Sequence, residues 1–190
     1  MKPSKSAAAT ANRVRIIGGE HRSRVLRFSP TLGLRPTPDR VRETLFNWLG
    51  QDLTGRHCLD LFAGSGALGF EAVSRGAARV VMVDRDPQSC RALRENQALL
   101  GTRVTEVLQI DALEFLRQAG RPFHIAFLDP PYAYADTPGL LSALRAHLAA
   151  DAMVYREGAE FLDPPAGWTE YRRARAGAVH YQLLILTSES

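Results

Sequence analysis

Residues 60–69 have the sequence Asp60-Leu61-Phe62-Ala63-Gly64-Ser65-Gly66-Ala67-Leu68-Gly69. The stretch overlaps an apolar run over residues 57–62 that has the length of a buried strand, and it leads into a helical pattern over residues 67–75. Glycines between a strand and a helix let the backbone approach a ligand closely, and α/β sheets bind nucleotide-like ligands at the carboxyl ends of their strands. The stretch therefore predicts an α/β fold with a ligand site at this turn.

The alternation of strand and helix continues along the chain. Further strands are predicted over residues 79–84, 103–109, 123–128 and 152–156, with helices over residues 86–101, 112–119 and 138–149. Such alternation with short connections indicates right-handed crossovers and a parallel sheet covered on both faces. Two final runs, residues 170–175 and 178–187, predict an antiparallel hairpin. We expect a Rossmann-like, mostly parallel seven-stranded sheet that ends in this hairpin.

The segment before residue 51 has a different organisation. Short strands are predicted over residues 13–17 and 25–28. Thr37-Pro38-Asp39 then has the features of a helix start: a capping hydroxyl, a proline at the first helical position and an acid in the first turn. The apolar stripe of this helix consists of Val41, Leu45, Trp48 and Leu49. We therefore divide the chain into a disordered basic tail (1–12), an extension of hairpin and helix (13–50) and a main domain (51–190).

The basic charge is concentrated at one end of the chain. Residues 1–50 contain ten Lys and Arg against three Asp and Glu, although the net charge of the whole chain is only +4. Arginine suits forked phosphate contacts, so the extension is a candidate polyanion-binding surface, although such a run also occurs on solvated faces. No apolar run approaches the roughly 20 residues of a membrane span, and no signal sequence opens the chain, so a soluble cytoplasmic protein is expected. Cys58 and Cys90 have no disulfide-framework or metal-site spacing and receive no role.

Three carboxylates lie at or just after the ends of predicted strands near the glycine turn. Residues 64–69 fit the dinucleotide pattern GxGxxG, with Asp84 twenty residues on, so NAD binding is a real alternative. Asp60 favours S-adenosylmethionine instead, because it can bind the methionine ammonium and would repel a pyrophosphate. Asp84 can accept ribose hydroxyls under either hypothesis. Asp111 can bind the adenine amino group, with the Ala112 amide beside it, or can simply cap a helix.

The candidate reaction motif is Asp129-Pro130-Pro131-Tyr132, at the end of the strand predicted over residues 123–128. A base amino group is a poor nucleophile and needs acceptors that hold it against an electrophilic methyl. The Asp129 carboxylate and the Pro130 carbonyl can accept its two hydrogens, and Tyr132 can stack on the base. In isolation the motif could be a rigid surface turn. Its position beside the glycine turn favours methyl transfer to an amino group, a reaction that requires no metal.

With these residues assembled, residues 13–186 resemble the RsmD family of 16S ribosomal RNA guanine-N2 methyltransferases. The resemblance is carried by residues 15–19, 35–49, 59–66 and 129–132. The glycine turn and reaction motif occur in many amino methyltransferases, so residues 35–49 are the specific part. The resemblance implies a class I methyltransferase fold, S-adenosylmethionine as the donor and N2 of one guanine in 16S rRNA as the acceptor. The small ribosomal subunit or its assembly intermediate would be the substrate, and a monomer is expected.

The resemblance also assigns roles to residues. The catalytic residues would be Asp129, Pro130, Pro131 and Tyr132. Cofactor binding would fall to Asp60, Phe62, Ala63, Gly64, Ser65, Gly66, Asp84, Arg85, Asp111 and Ala112. RNA binding would fall to Arg15, Arg22, Arg24, Arg35, Thr37, Arg40 and Arg42.

Several other functions use parts of the same pattern. A DNA amino methyltransferase, acting on N6 of adenine or N4 of cytosine, shares the reaction motif, but no separate target-recognition region is evident in 190 residues. A glutamine methyltransferase would leave the basic extension unexplained. A non-catalytic RNA-binding assembly factor would not need Asp60, Asp84 and Asp129, and an NAD oxidoreductase would need a hydride-handling group that the sequence does not suggest.

Overall fold

The computed structural model describes residues 13–28, 36–118, 120, 122–130 and 137–187. The tail predicted for residues 1–12 lies outside these ranges. In chain order the strands are β1 (Arg13–Arg15), β2 (Val25–Arg27), β3 (His57–Asp60), β4 (Arg79–Asp84), β5 (Thr105–Gln109), β6 (Phe123–Leu128), β7 (Leu148–Gly158), β8 (Trp168–Ala176) and β9 (Val179–Leu186). The helices are α1 (Asp39–Trp48), α2 (Ala67–Ser74), α3 (Pro87–Leu100), α4 (Ala112–Leu116) and α5 (Thr137–Leu144), and a 3-10 turn follows α5 at Arg145–His147.

Seven strands form one sheet in the order β5-β4-β3-β6-β7-β9-β8. The strands from β5 to β7 are parallel, and β9 pairs antiparallel with both β7 and β8. The predicted mostly parallel sheet with a C-terminal antiparallel hairpin is therefore confirmed. The carboxyl ends of β3, β4, β6 and β7 lie along one edge, where the predicted ligand-binding carboxylates follow their strands.

Both faces of the sheet are covered. One face packs against α2, α3 and the N-terminal strands and helix, with Phe46 against Phe127 at 6.0 Å between ring centroids. The other face packs against α4 and α5, which bury Leu116, Leu140 and Leu144. Residues 13–28 and α1 thus share a hydrophobic core with the sheet.

A buried carboxylate on α2 fixes the N-terminal strands in place. Glu71 accepts hydrogen bonds from the backbone amides of Ile17 and Gly18, at 2.9 and 2.8 Å. It also forms ion pairs with Arg42 on α1, at 3.1 Å, and with Arg75, at 2.9 Å. The side chains of Glu71 and Arg42 have no exposed surface. Buried charges are stable only when they are paired and fully hydrogen-bonded, and this cluster satisfies that condition.

The structure corrects the predicted start of α1. Pro38 is the residue that precedes the helix, and no side chain caps its first turn. The Thr37 hydroxyl instead donates a hydrogen bond to Glu157 on β7. As a cap, the Thr37 oxygen would accept a hydrogen bond from a neutral backbone amide, whereas its hydroxyl here donates to a carboxylate, and such a charge-assisted hydrogen bond is stronger.

The predicted helix over residues 138–149 is also too long. The helix α5 ends at Leu144, and β7 begins at Leu148. Leu148 pairs with Phe123 of β6 across an irregularity in the ladder. Pairing with a neighbouring strand is a non-local interaction, so helical periodicity in the sequence could not reveal it. Among the described residues, no helix is both long and apolar enough to cross a membrane.

We expect Glu71→Gln to lower the free energy of unfolding by about 3–5 kcal/mol, because it removes the buried carboxylate that pairs with both Arg42 and Arg75, and the half-exposed Asp39 compensates Arg42 only in part. Urea denaturation followed by circular dichroism measures the change. The matched control is Glu95→Gln, which breaks an exposed ion pair with Arg91 on α3 and should cost less than about 0.5 kcal/mol. Equal destabilisation by the two substitutions would contradict this role for Glu71.

Candidate active site

The turn between β3 and α2 requires glycine for steric reasons. Gly66 has φ of 75°, and a Cβ there would meet the Leu93 and Phe70 side chains at 2.6 and 2.7 Å. A Cβ at Gly69 would meet the Met82 methyl at 2.7 Å, so this glycine allows α2 to lie close to β4. The backbone of the turn is also tied to the sheet, since the Ala63 amide donates to the Val83 carbonyl at 2.9 Å. The turn is therefore a fixed part of the site.

Asp60 lies at the carboxyl end of β3, under the first turn of α2. Its side chain accepts a hydrogen bond from the Gly69 amide at 3.0 Å, and the residue is 3% exposed. Burial raises the pKa of Asp60 to about 7; the Gly69 amide opposes this shift, and the negative charge of Asp84 adds to it. A carboxylate in this position is stabilised by a bound cation.

Asp84 lies at the end of β4 and holds two parts of the site. One oxygen accepts from the Gly64 amide at 2.8 Å, and the other accepts from the Asp86 amide at 2.8 Å. Burial raises the pKa of Asp84, and these two hydrogen bonds lower it. Each oxygen keeps a second lone pair, so the predicted contact with ribose hydroxyls is compatible with this geometry.

Asp111 caps α4. Its Oδ1 accepts from the backbone amides of Leu113 and Glu114, at 2.9 and 3.3 Å. The capping role considered from the sequence is thus present, and a contact between Asp111 and adenine is still a proposal. Ala112 is buried in the first turn of α4, and Arg85 is exposed just beyond Asp84.

A cleft opens at this edge of the sheet, and the empty space in it, including the part open to solvent, is about 350 Å³. It is lined by Pro36, Thr37, Asp60, Phe62, Ala63, Gly64, Ser65, Ala67, Leu68 and Asp129. None of these described lining residues is Lys or Arg, while two are carboxylates. The cleft therefore brings the glycine turn, Asp60 and the start of the reaction motif together, and its electrostatics favour a cationic ligand over a pyrophosphate.

Asp129 follows β6 directly and faces this cleft. Burial of its carboxyl, together with the negative charges of Glu157 and Asp60, raises the pKa of Asp129 well above its usual range. Pro130 lies beside it and keeps some exposed surface. Pro131 and Tyr132 lie outside the described residues, so their predicted catalytic roles stay predictions.

Glu157 is a candidate site residue that the sequence analysis missed. It lies near the end of β7, it is 8% exposed, and its carboxylate accepts a 2.7 Å hydrogen bond from the Tyr155 hydroxyl. Burial raises the pKa of Glu157, and the hydrogen bonds from Tyr155 and Thr37 lower it. The rule that singled out Asp60, Asp84 and Asp129, an acid at the carboxyl end of a parallel strand, also applies to Glu157. The strand predicted over residues 152–156 ended two residues before β7 does, and it placed Glu157 directly after a strand, as Asp129 is after β6, so the signal was present in the sequence.

The predicted RNA-binding residues separate into three groups. Arg15, Arg22, Arg24 and Arg40 are exposed. Arg35 lies outside the described residues. The structure contradicts the prediction for Arg42, because its guanidinium is fully buried and donates to Glu71, Asp39 and the Thr37 and Arg15 carbonyls. Thr37 is 5% exposed and belongs to the wall of the cleft, so its predicted contact with RNA stays a prediction.

Within the described ranges, no group of three or more His, Cys, Asp or Glu side chains is arranged to hold a metal ion. Cys58 and Cys90 are buried free thiols, and burial raises the pKa of both.

Comparisons with known proteins agree with this architecture. The family model described as Conserved hypothetical protein 95 matches residues 14–185. Ribosomal RNA small subunit methyltransferase D of Escherichia coli strain K12 is 41% identical over 187 residues, which cover 96% of this chain and 93% of that protein. The Haemophilus influenzae protein of the same name is 40% identical over 178 residues, with 90% and 92% coverage. The solved structure of yhhF from Escherichia coli has a TM-score of 0.83 and 41% identity, and the match covers 93% of this chain and 99% of that one.

Proposed function

Because the chain belongs to the family of ribosomal RNA small subunit methyltransferase D, which the Conserved hypothetical protein 95 model describes, we propose that it methylates small-subunit ribosomal RNA. The donor is S-adenosylmethionine, and the acceptor is the exocyclic N2 amino group of one guanine in 16S rRNA. The guanine and its N2 atom follow from the family resemblance, whereas the donor and the amino acceptor also have support from the site itself.

The observation that carries the proposal is the pair of carboxylates in one cleft. Asp60 and Asp129 both line it, and burial raises the pKa of each. S-Adenosylmethionine carries a positive ammonium and a positive sulfonium, so it supplies the positive charge that the lining of this cleft lacks. A dinucleotide would instead bring a negative pyrophosphate toward Asp60, which disfavours the NAD hypothesis.

The bound donor supplies an electrophilic methyl group. Asp60 then binds the ammonium, and Asp84 together with Asp111 is placed for the ribose and the adenine. Asp129 and the Pro130 carbonyl accept the two amino hydrogens of the base, which directs the nitrogen lone pair toward the methyl. After transfer, Asp129 accepts the surplus proton or passes it to water.

The exposed arginines of the N-terminal extension provide phosphate contacts. Arg15, Arg22, Arg24 and Arg40 all have solvent-exposed side chains. The extension also reaches the cleft, since Pro36 and Thr37 form part of its wall. A polyanion bound to this extension would therefore lie next to the reaction site.

Methyl transfer to the ribosome tests the proposal. We expect the protein to transfer labelled methyl to small subunits from a strain that lacks the endogenous enzyme, and to modify one nucleotide. Mass mapping of the labelled RNA should place the methyl on guanine N2. Unlabelled subunits would refute the proposal, and a methylated adenine or cytosine would refute the choice of guanine.

We expect Asp129→Ala to lower kcat by roughly 10²-fold or more, because it removes an acceptor that orients the amino group. Single-turnover transfer measures this loss, and calorimetry should show a much smaller change in donor affinity. Asp163→Ala, at an exposed aspartate in the loop after β7, is the control and should leave both quantities unchanged. Transfer at the wild-type rate by Asp129→Ala would remove Asp129 from the mechanism.

We expect donor affinity to fall as the pH is lowered through 7. The pKa of Asp60 is about 7 in the free protein, and only its ionised form binds the ammonium. Lowering the pH from 7 to 5.5 should therefore weaken binding roughly tenfold. Calorimetry across this range measures the effect.

Asp60→Asn should weaken donor binding at pH 7 and remove most of the pH slope. The control is Asp129→Asn, which removes the other titrating carboxylate of the cleft and should keep most of the slope. If the pH slope disappeared in Asp129→Asn and remained in Asp60→Asn, the assignment of the ammonium contact to Asp60 would be wrong.

A further inference from the structure

A second cluster of cations lies on the edge strand β8. The strand β2 is held by Asn96 of α3, which packs on β4 and β5 at the other end of the strand order, whereas Trp48 of α1 packs against Tyr181 of β9, next to β8. Arg172, Arg173 and Arg175 are all exposed there, although residues 51–190 contain more acidic than basic residues. Two exposed aromatic rings lie among them: Tyr171, 41% exposed, and Phe161, 38% exposed. Because neighbouring strand residues alternate between faces, Arg172 lies on the face of its partner Leu183, and Arg173 and Arg175 lie on the face of Gln182 and His180. The five residues thus lie on both sides of the exposed sheet edge and are called the β8 surface below.

Arginine and aromatic side chains contact each other within the β8 surface. The Arg172 guanidinium lies over the Tyr171 ring at 4.2 Å, and the Arg173 guanidinium lies over the Phe161 ring at 5.1 Å. The Nε of Arg175 donates to the Gly177 carbonyl at 2.7 Å, which holds this side chain near the hairpin turn. Of the three arginines, Arg173 also has an acidic neighbour, Glu170, at 3.5 Å. The pair is largely exposed, so it neutralises Arg173 only weakly.

The topology places the β8 surface near the edge of the sheet at which Asp129 follows β6. Arg175 pairs with His180 of β9, and His180 pairs with Gly158 of β7. Two residues before Gly158, Arg156 pairs with Leu128 of β6, the residue that precedes Asp129. Arg175 is thus at the same sheet edge as the cleft. Three strand spacings separate β8 from β6, a distance of about 14 Å. That is the rise of roughly four stacked nucleotides of one strand.

The strands that carry the proposed donor-binding residues lie on the other side of β6 from β8. The strands β3 and β4, which carry Asp60 and Asp84, are on the opposite side of β6 from β7, β9 and β8. A polynucleotide that presents a base to Asp129 therefore has room to continue over β7 and β9 toward β8. Its phosphates would meet the arginines, and an unstacked base could stack on Phe161 or Tyr171.

Charged residues on an edge strand have a simpler use, which is to prevent pairing with another chain. That use accounts for the arginines but does not require exposed aromatic rings beside them. Exposed rings under guanidinium groups are instead suited to nucleic acid, because each base offers a flat face and each phosphate a forked acceptor.

We infer that the β8 surface is a second RNA-binding surface, which holds the RNA segment flanking the target base on the side away from β1 and β2. The inference rests on the proposed function, because it takes RNA to be the substrate. Together the two basic surfaces bind the RNA on both sides of the cleft.

The test neutralises this surface with the triple substitution Arg172→Gln, Arg173→Gln and Arg175→Gln. The matched control is Arg56→Gln, Arg79→Gln and Arg103→Gln, which removes the same charge near the amino ends of β3, β4 and β5, at the opposite edge of the sheet. Binding of a small-subunit RNA fragment is measured by fluorescence anisotropy at several salt concentrations. Methyl transfer to small subunits and donor binding are measured in parallel.

The β8 triple variant should bind RNA at least tenfold more weakly, with a salt-dependence slope about 2 units smaller, since each phosphate contact contributes roughly 0.7–0.9. Its KM for subunits should rise while kcat and donor affinity stay close to wild type. The control triple variant should match the wild-type protein in RNA affinity, KM and kcat. Phe161→Ala should also raise KM, with no change in the salt slope, because stacking involves no phosphate.

Two results would overturn the inference. One is a β8 variant whose KM and salt slope equal those of the control variant. The other is a β8 variant that self-associates in size-exclusion chromatography and has unchanged RNA affinity, as edge protection predicts. Failure of the proposed function is distinguishable, because it appears as absent methyl transfer by the wild-type protein itself.

Discussion

The carboxylate of Glu71 joins the N-terminal extension to the sheet at one buried point. It neutralises Arg42, pairs with Arg75 and accepts the amides of Ile17 and Gly18. Arg42 in turn donates from its Nε to the Thr37 carbonyl at 3.1 Å. A charge cluster of this kind is stable only with all its partners present, so it specifies one arrangement of these segments.

The position of the cleft wall depends on this cluster. Glu71 lies on α2, the helix that follows the glycine turn, and Thr37 lies directly before α1. Because Arg42 links the two, the wall formed by Pro36 and Thr37 is fixed against the turn that is proposed to hold the donor. The Thr37 hydroxyl extends the connection to Glu157, beside Asp129. The part of the chain that is proposed to contact RNA is thus connected to the reaction motif by hydrogen bonds between side chains and backbone.

The charges of the molecule are sorted by location. Asp60, Asp84, Asp129 and Glu157 follow or end four neighbouring parallel strands, and burial raises the pKa of each. The exposed arginines lie around this acidic centre, on the extension and on β8. A cationic donor fits the centre, and a polyanionic acceptor fits the periphery. One sheet edge can therefore bind two substrates of opposite charge without either competing for the other's contacts.

Local sequence determined the strands, the glycine turn and the positions of Asp60, Asp84 and Asp129, because strand and helix periodicity are local properties and an acid after a parallel strand falls at a known edge. It could not separate Arg40 from Arg42, two residues apart on one helix. Tertiary structure decided that Arg40 is exposed and Arg42 buried, since the fully buried carboxylate that pairs with Arg42, that of Glu71, is 29 residues away. The same holds for Thr37 and Glu157, whose hydrogen bond joins residues far apart in the chain. Their roles follow from long-range pairing, which periodicity and motif spacing do not encode.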